Sequence, residues 1–378
     1  MNPPAITLYG LPISLYTGKA RSYLLKNGLS YQEVAPSVRR FGEEVLPRAG
    51  GLSVPTIETE DGLVIRDGSQ IVDHFESRTG NEATPTGPRQ RVVNGLLDVI
   101  GMEGLLRPAM HYRWNFPEEN HDFLAFHFRM LAPRGLDPDQ VAQQAMERMR
   151  QAAVSFGVTP ETIPGIEARY LDFLAVLDRH FSEVPYLLGG RPGTGDFSLI
   201  APMYAHLGRD PKPLSMLQSK AFHVFRWVER MNRPDADRCE YVEDGEAMFG
   251  DAFIANDEIP ETLIAVLRQI AIDFVPETIA AAAFINAWLS EQGERAAGTR
   301  VERGLGLAPF TVDGVVIHGL AQPHRFHLLH RAQAAYDALS PDDKTRVDQT
   351  LEKCNLLPVL DARLTRAVRF QDNVEIWD

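Results

Sequence analysis

Only two cysteines occur in the 378 residues, Cys239 and Cys354, and none precedes position 239. Neither stands in the spacing of a metal site or a redox pair, so no disulfide framework is expected and a cytoplasmic compartment is the expectation. The N-terminal half has no thiolate of its own with which to exchange disulfides. No run of about 18 apolar residues occurs, so no membrane-spanning helix is expected. Lysine- and arginine-rich runs are missing too: 38 Lys and Arg stand against 51 Asp and Glu, a formal net charge of −13. That balance argues against a nucleic-acid or anionic-membrane partner. No internal repeat or low-complexity tract is present. Met1-Asn2-Pro3-Pro4 leads straight into the first predicted strand, which leaves no room for a signal peptide.

What is present exceeds one typical core, so two or more domains are expected. Residues 6–10 (ITLYG) predict a buried strand, and Ser14 opens a helix carrying Ala20, Tyr23 and Leu24 before the stop at Asn27-Gly28. A second strand over 31–34 and a helical stretch to about Arg48 follow. Residues 52–57 then pair across Glu60-Asp61-Gly62 with Leu63-Val64-Ile65, a hairpin signal. Asp67-Gly68-Ser69 starts an amphipathic helix carrying Ile71, Val72 and Phe75. The order is β-α-β-α-β-β-α.

That order resembles the thioredoxin-like domain of the glutathione S-transferase superfamily. Three motifs carry the likeness: the loop from Tyr9 to Ser14 running into the helix of Lys19 and Arg21; Val54-Pro55, where the family has a cis-proline; and Ser69 at the start of the last helix. Further on, Tyr186 to Leu199 resembles the superfamily's helical second domain, where a leucine-glycine turn precedes a Ser/Thr-x-x-Asp cap. Here Asp196 matches and Gly193 takes the cap position, which glycine tolerates. The resemblance, over roughly residues 5–235, thus implies an α/β thioredoxin-like domain over 1–82 and an all-α domain over 88–238. The Pro/Gly/Thr-rich 83–87 reads as a linker between them, and residues 239–378, beyond the resemblance, read as a helical extension with a short hairpin.

In the second region, helices are predicted over 90–114, 138–156, from Thr159 to about 181, and over 221–231. The extension predicts helices over 259–275 and 277–292, a hairpin turning at Asp313-Gly314, and two closing helices over 323–339 and from Ser340. Its wide apolar faces must pack on the second domain or a partner. The hairpin is the expected cover of the substrate cleft.

The resemblance assigns roles to residues. Ser14 stands where the family places the group that steadies glutathione's thiolate; the alternatives are a plain helix cap at Ser14 and Tyr16 or Tyr9 as substitute hydroxyls. A thiol of pKa about 8.5 ionises near neutrality only where hydrogen-bond donors and a helix N-terminus stabilise the sulfur anion. Val54 beside Pro55 would offer its backbone to an extended peptide. Asp67, Ser69 and Gln70 would form an anion site at a helix start, with Gly68 where the family's acid is expected. His111, Arg113 and Trp114 border the family's electrophile pocket, and a buried aromatic helix end is the alternative. His206, Arg209 and Asp210 suggest an interdomain polar network. His318, His324, His327 and His330 lack the spacing of a metal site, so no metal is expected.

The expectation is therefore a glutathione S-transferase-like detoxification enzyme of the serine type. It would take glutathione as co-substrate and a small electrophile as partner, without nucleic acid or membrane, and the resemblance allows a homodimer. The alternative is a non-catalytic binding or scaffolding protein whose cleft is filled by its own extension.

Overall fold

The computed structural model describes residues 5–51, 53–80 and 82–378, with side chains except at 295 and 296. The signal-peptide reading of residues 1–4 and the strand position of Leu52 therefore lie outside the described residues.

The N-terminal sheet forms from β1 (Ile6–Tyr9), β2 (Tyr31–Val34), β3 (Thr56–Thr59) and β4 (Val64–Arg66), in the order β2-β1-β3-β4. β1 runs parallel to β2 and antiparallel to β3. Between them run α1 (Leu15–Lys26) and α2 (Leu46–Ala49), and α3 (Gly68–Thr79) follows β4. Ile6, Leu8, Ala20, Leu24, Ile57 and Ile71 fill the core beneath the sheet. The expected β-α-β-α-β-β-α order is present.

A helical region follows: α4 (Pro88–Val99), α5 (Leu106–Trp114), α6 (Pro117–Phe128), α7 (Pro138–Ser155), α8 (Ile163–Glu183), α9 (Thr194–Ala205), α10 (Pro211–Lys220) and α11 (Phe222–Met231). The helix expected over 90–114 is interrupted by a π-turn at Ile100–Gly104. There Gly101 lets the backbone of α9 pass: a Cβ would stand 2.4 Å from the Ser198 carbonyl carbon. Helices α6 and α10 were not anticipated. Each begins with proline at its first turn, a start signal the sequence carried. On α9, Gly193 is the N-cap and Asp196 accepts its N–H at 2.9 Å, as the spacing predicts.

The extension opens with the short ribbon β5 (Val242–Glu243) and β6 (Glu246–Ala247), followed by α12 (Glu261–Gln292). Two helices were expected here, but α12 runs unbroken through Pro276. Proline removes one backbone bond and usually breaks a helix. Here Asp273 and Glu277 on either side of it are tied to Arg169, Arg107 and Arg325. By length and composition α12 could cross a membrane, but Leu263, Val266, Leu267, Phe274 and Ile285 are buried in the largest core. The hairpin β7 (Leu307–Val312) and β8 (Val315–Leu320) turns at Asp313-Gly314. Then come α13 (Pro323–Asp337), α14 (Pro341–Lys353) and an unforeseen hairpin, β9 (Val368–Gln371) with β10 (Val374–Trp377).

The extension is continuous with the rest. Ala332 of α13 sits where a Cβ on Gly95 of α4 would come within 3.1 Å, and Trp377 is buried near Trp288. Burial of this kind is worth about 25 cal/mol per Å² of apolar surface.

Candidate functional site

Strand register brings the predicted motifs together. Tyr9 pairs with Thr56, and Thr56 with Arg66. The loop after β1, the segment before β3 and the turn after β4 thus meet at one end of the sheet. The Val54–Pro55 bond is cis, and the Pro55 carbonyl accepts the Asp67 N–H at 3.0 Å. Gly68 lets α3 start against α1: a Cβ would stand 3.2 Å from the Tyr16 carbonyl oxygen. The result is that Ser14, Val54 and Asp67 lie at the same end of the sheet, the candidate groove.

Ser14 is the N-cap of α1, its Oγ accepting the Thr17 N–H at 3.3 Å, and it is half-buried. Its hydroxyl proton has no acceptor among the described residues. Two guanidinium groups pin its loop. Arg21 donates to the Leu11 carbonyl at 3.0 Å while paired with Glu33. Arg113 donates to the Ile13 carbonyl at 3.0 Å while paired with Asp210 at 2.6 Å. Such buried charge-assisted bonds fix geometry.

Arg113 is therefore a prop behind the groove rather than a wall of an electrophile pocket. His111 is buried against Glu167 and Asn115, and Trp114 packs on Phe128 in a separate core. The His111, Arg113 and Trp114 expectation is corrected: the helix turns these side chains into the interior. Asp210 does join a polar network, with Arg113, and the His206 imidazole meets the Ala109 carbonyl at 3.1 Å. Tyr9 faces Phe41 and Glu58 on another side of the sheet, which removes it as a substitute hydroxyl.

Ser69 also departs from expectation. It is 1% exposed, and its hydroxyl accepts from Lys19 Nζ at 2.7 Å. Lys19 in turn meets Asp98 at 2.6 Å, where Ser198 also donates. The N–H groups of Ser69 and Gln70 go to the Asp67 carboxylate at 2.7 and 3.2 Å. Asp67, with φ 83°, is itself the N-cap of α3, so the helix-start anion site is filled by the chain's own acid. Asp67, rather than Gly68, is the acid at this turn.

The extension reaches this groove with residues that the sequence reading did not assign to it. His324 lies 3.8 Å from Asp67 and 2.7 Å from Glu375. Burial opposes its charge, but the bond and charge of Glu375, with Asp67 behind, lift its pKa to about 9. Gln70 approaches His327 at 3.4 Å, and Arg331 pairs with Asp73. Tyr16 lies near the charge of Arg303, but burial outweighs it and raises the phenol's pKa, so the phenol keeps its proton. Asn373 covers the open edge of β4: its side chain accepts the Arg66 N–H at 3.0 Å and donates to the Val64 carbonyl at 3.0 Å, as a further strand would. The β7–β8 hairpin, expected as the cover, packs instead on α12, with Asp313 bonded to Arg169 of α8. β9–β10 is the hairpin at the groove, and its alternating Val-Arg-Phe-Gln and Val-Glu-Ile-Trp around Asp-Asn was the signal to find it.

Residues 8–83 match the glutathione S-transferase N-terminal domain. This segment is thus a glutathione S-transferase N-terminal domain, and a helical region follows it. Among solved structures it is similar to the beta-etherase LigF from Sphingobium sp. strain SYK-6, at 19% identity over 63% of this chain and 98% of that one, TM-score 0.39. It is also similar to a theta class glutathione S-transferase from Xanthomonas axonopodis pv. citri with glutathione bound, at 20% identity over 64% and 100%, TM-score 0.36. Glutathione transferase F2 from Populus trichocarpa gives 15% over 62% and 96%, TM-score 0.36. At these scores none of the three carries an argument about chemistry. No curated protein is significantly similar.

Proposed function

We propose that the protein is a glutathione-dependent transferase that adds the tripeptide's thiolate to a small electrophile. The observation that carries this reading is the convergence of Ser14, cis Val54–Pro55 and Asp67 at one end of the family's N-terminal domain. Glutathione would lie extended along the Val54 backbone, its ammonium toward Asp67 and its sulfur toward Ser14. Ser14 would donate a hydrogen bond from its hydroxyl to the thiolate while the start of α1 supplies further positive potential. Arg21 and Arg113 would hold the Ser14 loop in place, so that little reorganisation accompanies the reaction. Tyr16, kept protonated, is the second hydroxyl donor nearby. The site would work in the cytoplasm, with detoxification as its setting and a homodimer as its expected assembly.

A second reading has its own observation. The extension engages the same groove through His324 on Asp67, Asn373 on Arg66 and Arg303 on Tyr16. A protein whose groove partners are met internally would be a binding or scaffolding member. Calorimetric titration with millimolar glutathione separates the two. Binding, with the ultraviolet signal of bound thiolate appearing at lower pH in wild type than in Ser14→Ala, supports the transferase. Absence of heat and of thermal shift overturns it in favour of the second reading.

A further inference from the structure

Most arginines around the groove have a carboxylate: Arg21 has Glu33, Arg113 has Asp210, and Arg331 has Asp73. Arg66 and Arg300 differ. Among the described residues neither forms an ion pair within 4.0 Å, yet their guanidinium groups converge. A Cβ on Gly51 would stand 2.8 Å from Arg300 Nη2 and 3.4 Å from Arg66 Nη1. Burial disfavours the charge on Arg66, the more distant carboxylates of Glu375 and Asp67 favour it, and Arg300, a like charge, opposes it.

The Arg66 guanidinium is held there by hydrogen bonds, and Arg300 by the backbone of its strap. Arg66 donates both Nε, at 2.8 Å, and Nη2 to the Asn373 carbonyl, and Nη1 to Ser53 Oγ at 3.3 Å, which leaves one N–H on each terminal nitrogen unused among the described residues. Arg300 lies on the exposed strap 297–306. This strap is fixed to β10 by Val301 N–H to the Glu375 carbonyl at 2.9 Å and Trp377 N–H to the Thr299 carbonyl at 3.0 Å. The strap also presents Arg303 to Tyr16. A planar fork that stays charged is suited to a carboxylate.

We propose that Arg66 and Arg300 form a carboxylate clamp beside Val54, so that the extension completes the groove for an anionic ligand seated at Gly51. This rests on the glutathione reading. The carboxylate is either the tripeptide's glycyl terminus or one carried by the electrophile.

Titration of wild type and Arg300→Gln with four probes decides it: glutathione, its glycyl ester, a chloronitrobenzoate and the corresponding neutral amide. Arg300 is exposed, so the variant keeps its fold, and Arg300→Lys tests charge without the fork. If the glycyl carboxylate is the ligand, Arg300→Gln weakens glutathione about tenfold and leaves the ester unchanged. If the electrophile supplies it, the benzoate weakens and the amide does not. Equal affinities of wild type and Arg300→Gln for both carboxylate probes overturn the clamp, as does failure of both to bind wild type. Loss of glutathione binding alone, with benzoate binding still sensitive to Arg300, overturns the glutathione reading and leaves the clamp standing.

Discussion

Replacing His324 by glutamine removes an imidazolium that joins α13 to the start of α3 and to β10. Its folded pKa of about 9 lies above the ordinary value of 6.5. The native state therefore binds more protons than the unfolded state between those values, and stability falls as pH rises through that window. The contribution is full below pH about 6.5 and gone above about 9. A displacement of that size corresponds to about 3 kcal/mol. The His324 side chain is only 17% exposed and Glu375 21%, so solvent screening removes a modest part. Glu375, whose pKa His324 lowers against the opposing effect of burial, stays ionised throughout the window. Lys26 works in the opposite sense: burial lowers its pKa to about 8, so it adds stability as pH rises beyond that. The informative quantity is thus the difference between wild type and His324→Gln. Urea unfolding at pH 6 and pH 9.5 should show wild type losing about 2–3 kcal/mol more than the variant. Proton NMR of the ring should give a midpoint near 9. Parallel stability profiles, or a midpoint near 6.5, would refute a charged His324 in the native state.

Ser69→Ala should cost about 1–2 kcal/mol of stability by leaving Lys19 short of an acceptor, with little change in glutathione affinity. A tenfold affinity loss at unchanged melting temperature would restore the role expected from sequence. Lys19→Met leaves Asp98 buried with only Arg331 at 3.7 Å as counter-charge, and should destabilise by about 3 kcal/mol. Pairing it with Asp98→Asn should recover part of that loss in the same denaturation assay, and no recovery would mean the pair is not coupled. A chain ending at Arg238 loses α13 from the face of α4 and should be insoluble or molten; a soluble product with cooperative unfolding would show the extension to be separable.

Local elements were legible because their causes are local. Ile6 to Val34 alternates apolar strand, capped helix and strand, and Asp313-Gly314 tolerates the positive φ that a two-residue hairpin needs. Gly193 and Asp196 fix the start of α9 from three residues apart. Val54-Pro55 and Ser14 were singled out by the resemblance to a known family, carried by short motifs. The side-chain partners were not, because periodicity assigns a residue to a face and leaves its neighbour across that face unnamed. Ser69 was expected to bind an anion, but Lys19, 50 residues away, claims its hydroxyl. Arg113 was placed in a pocket, but Asp210, distant in sequence, draws it behind the Ser14 loop. The extension's apolar faces announced that it must pack, without stating where. Only the tertiary structure carries His324, Arg300 and Asn373 to the groove of a domain more than 200 residues earlier, since burying those faces against α4 and α12 leaves the polar edges of the extension lying there.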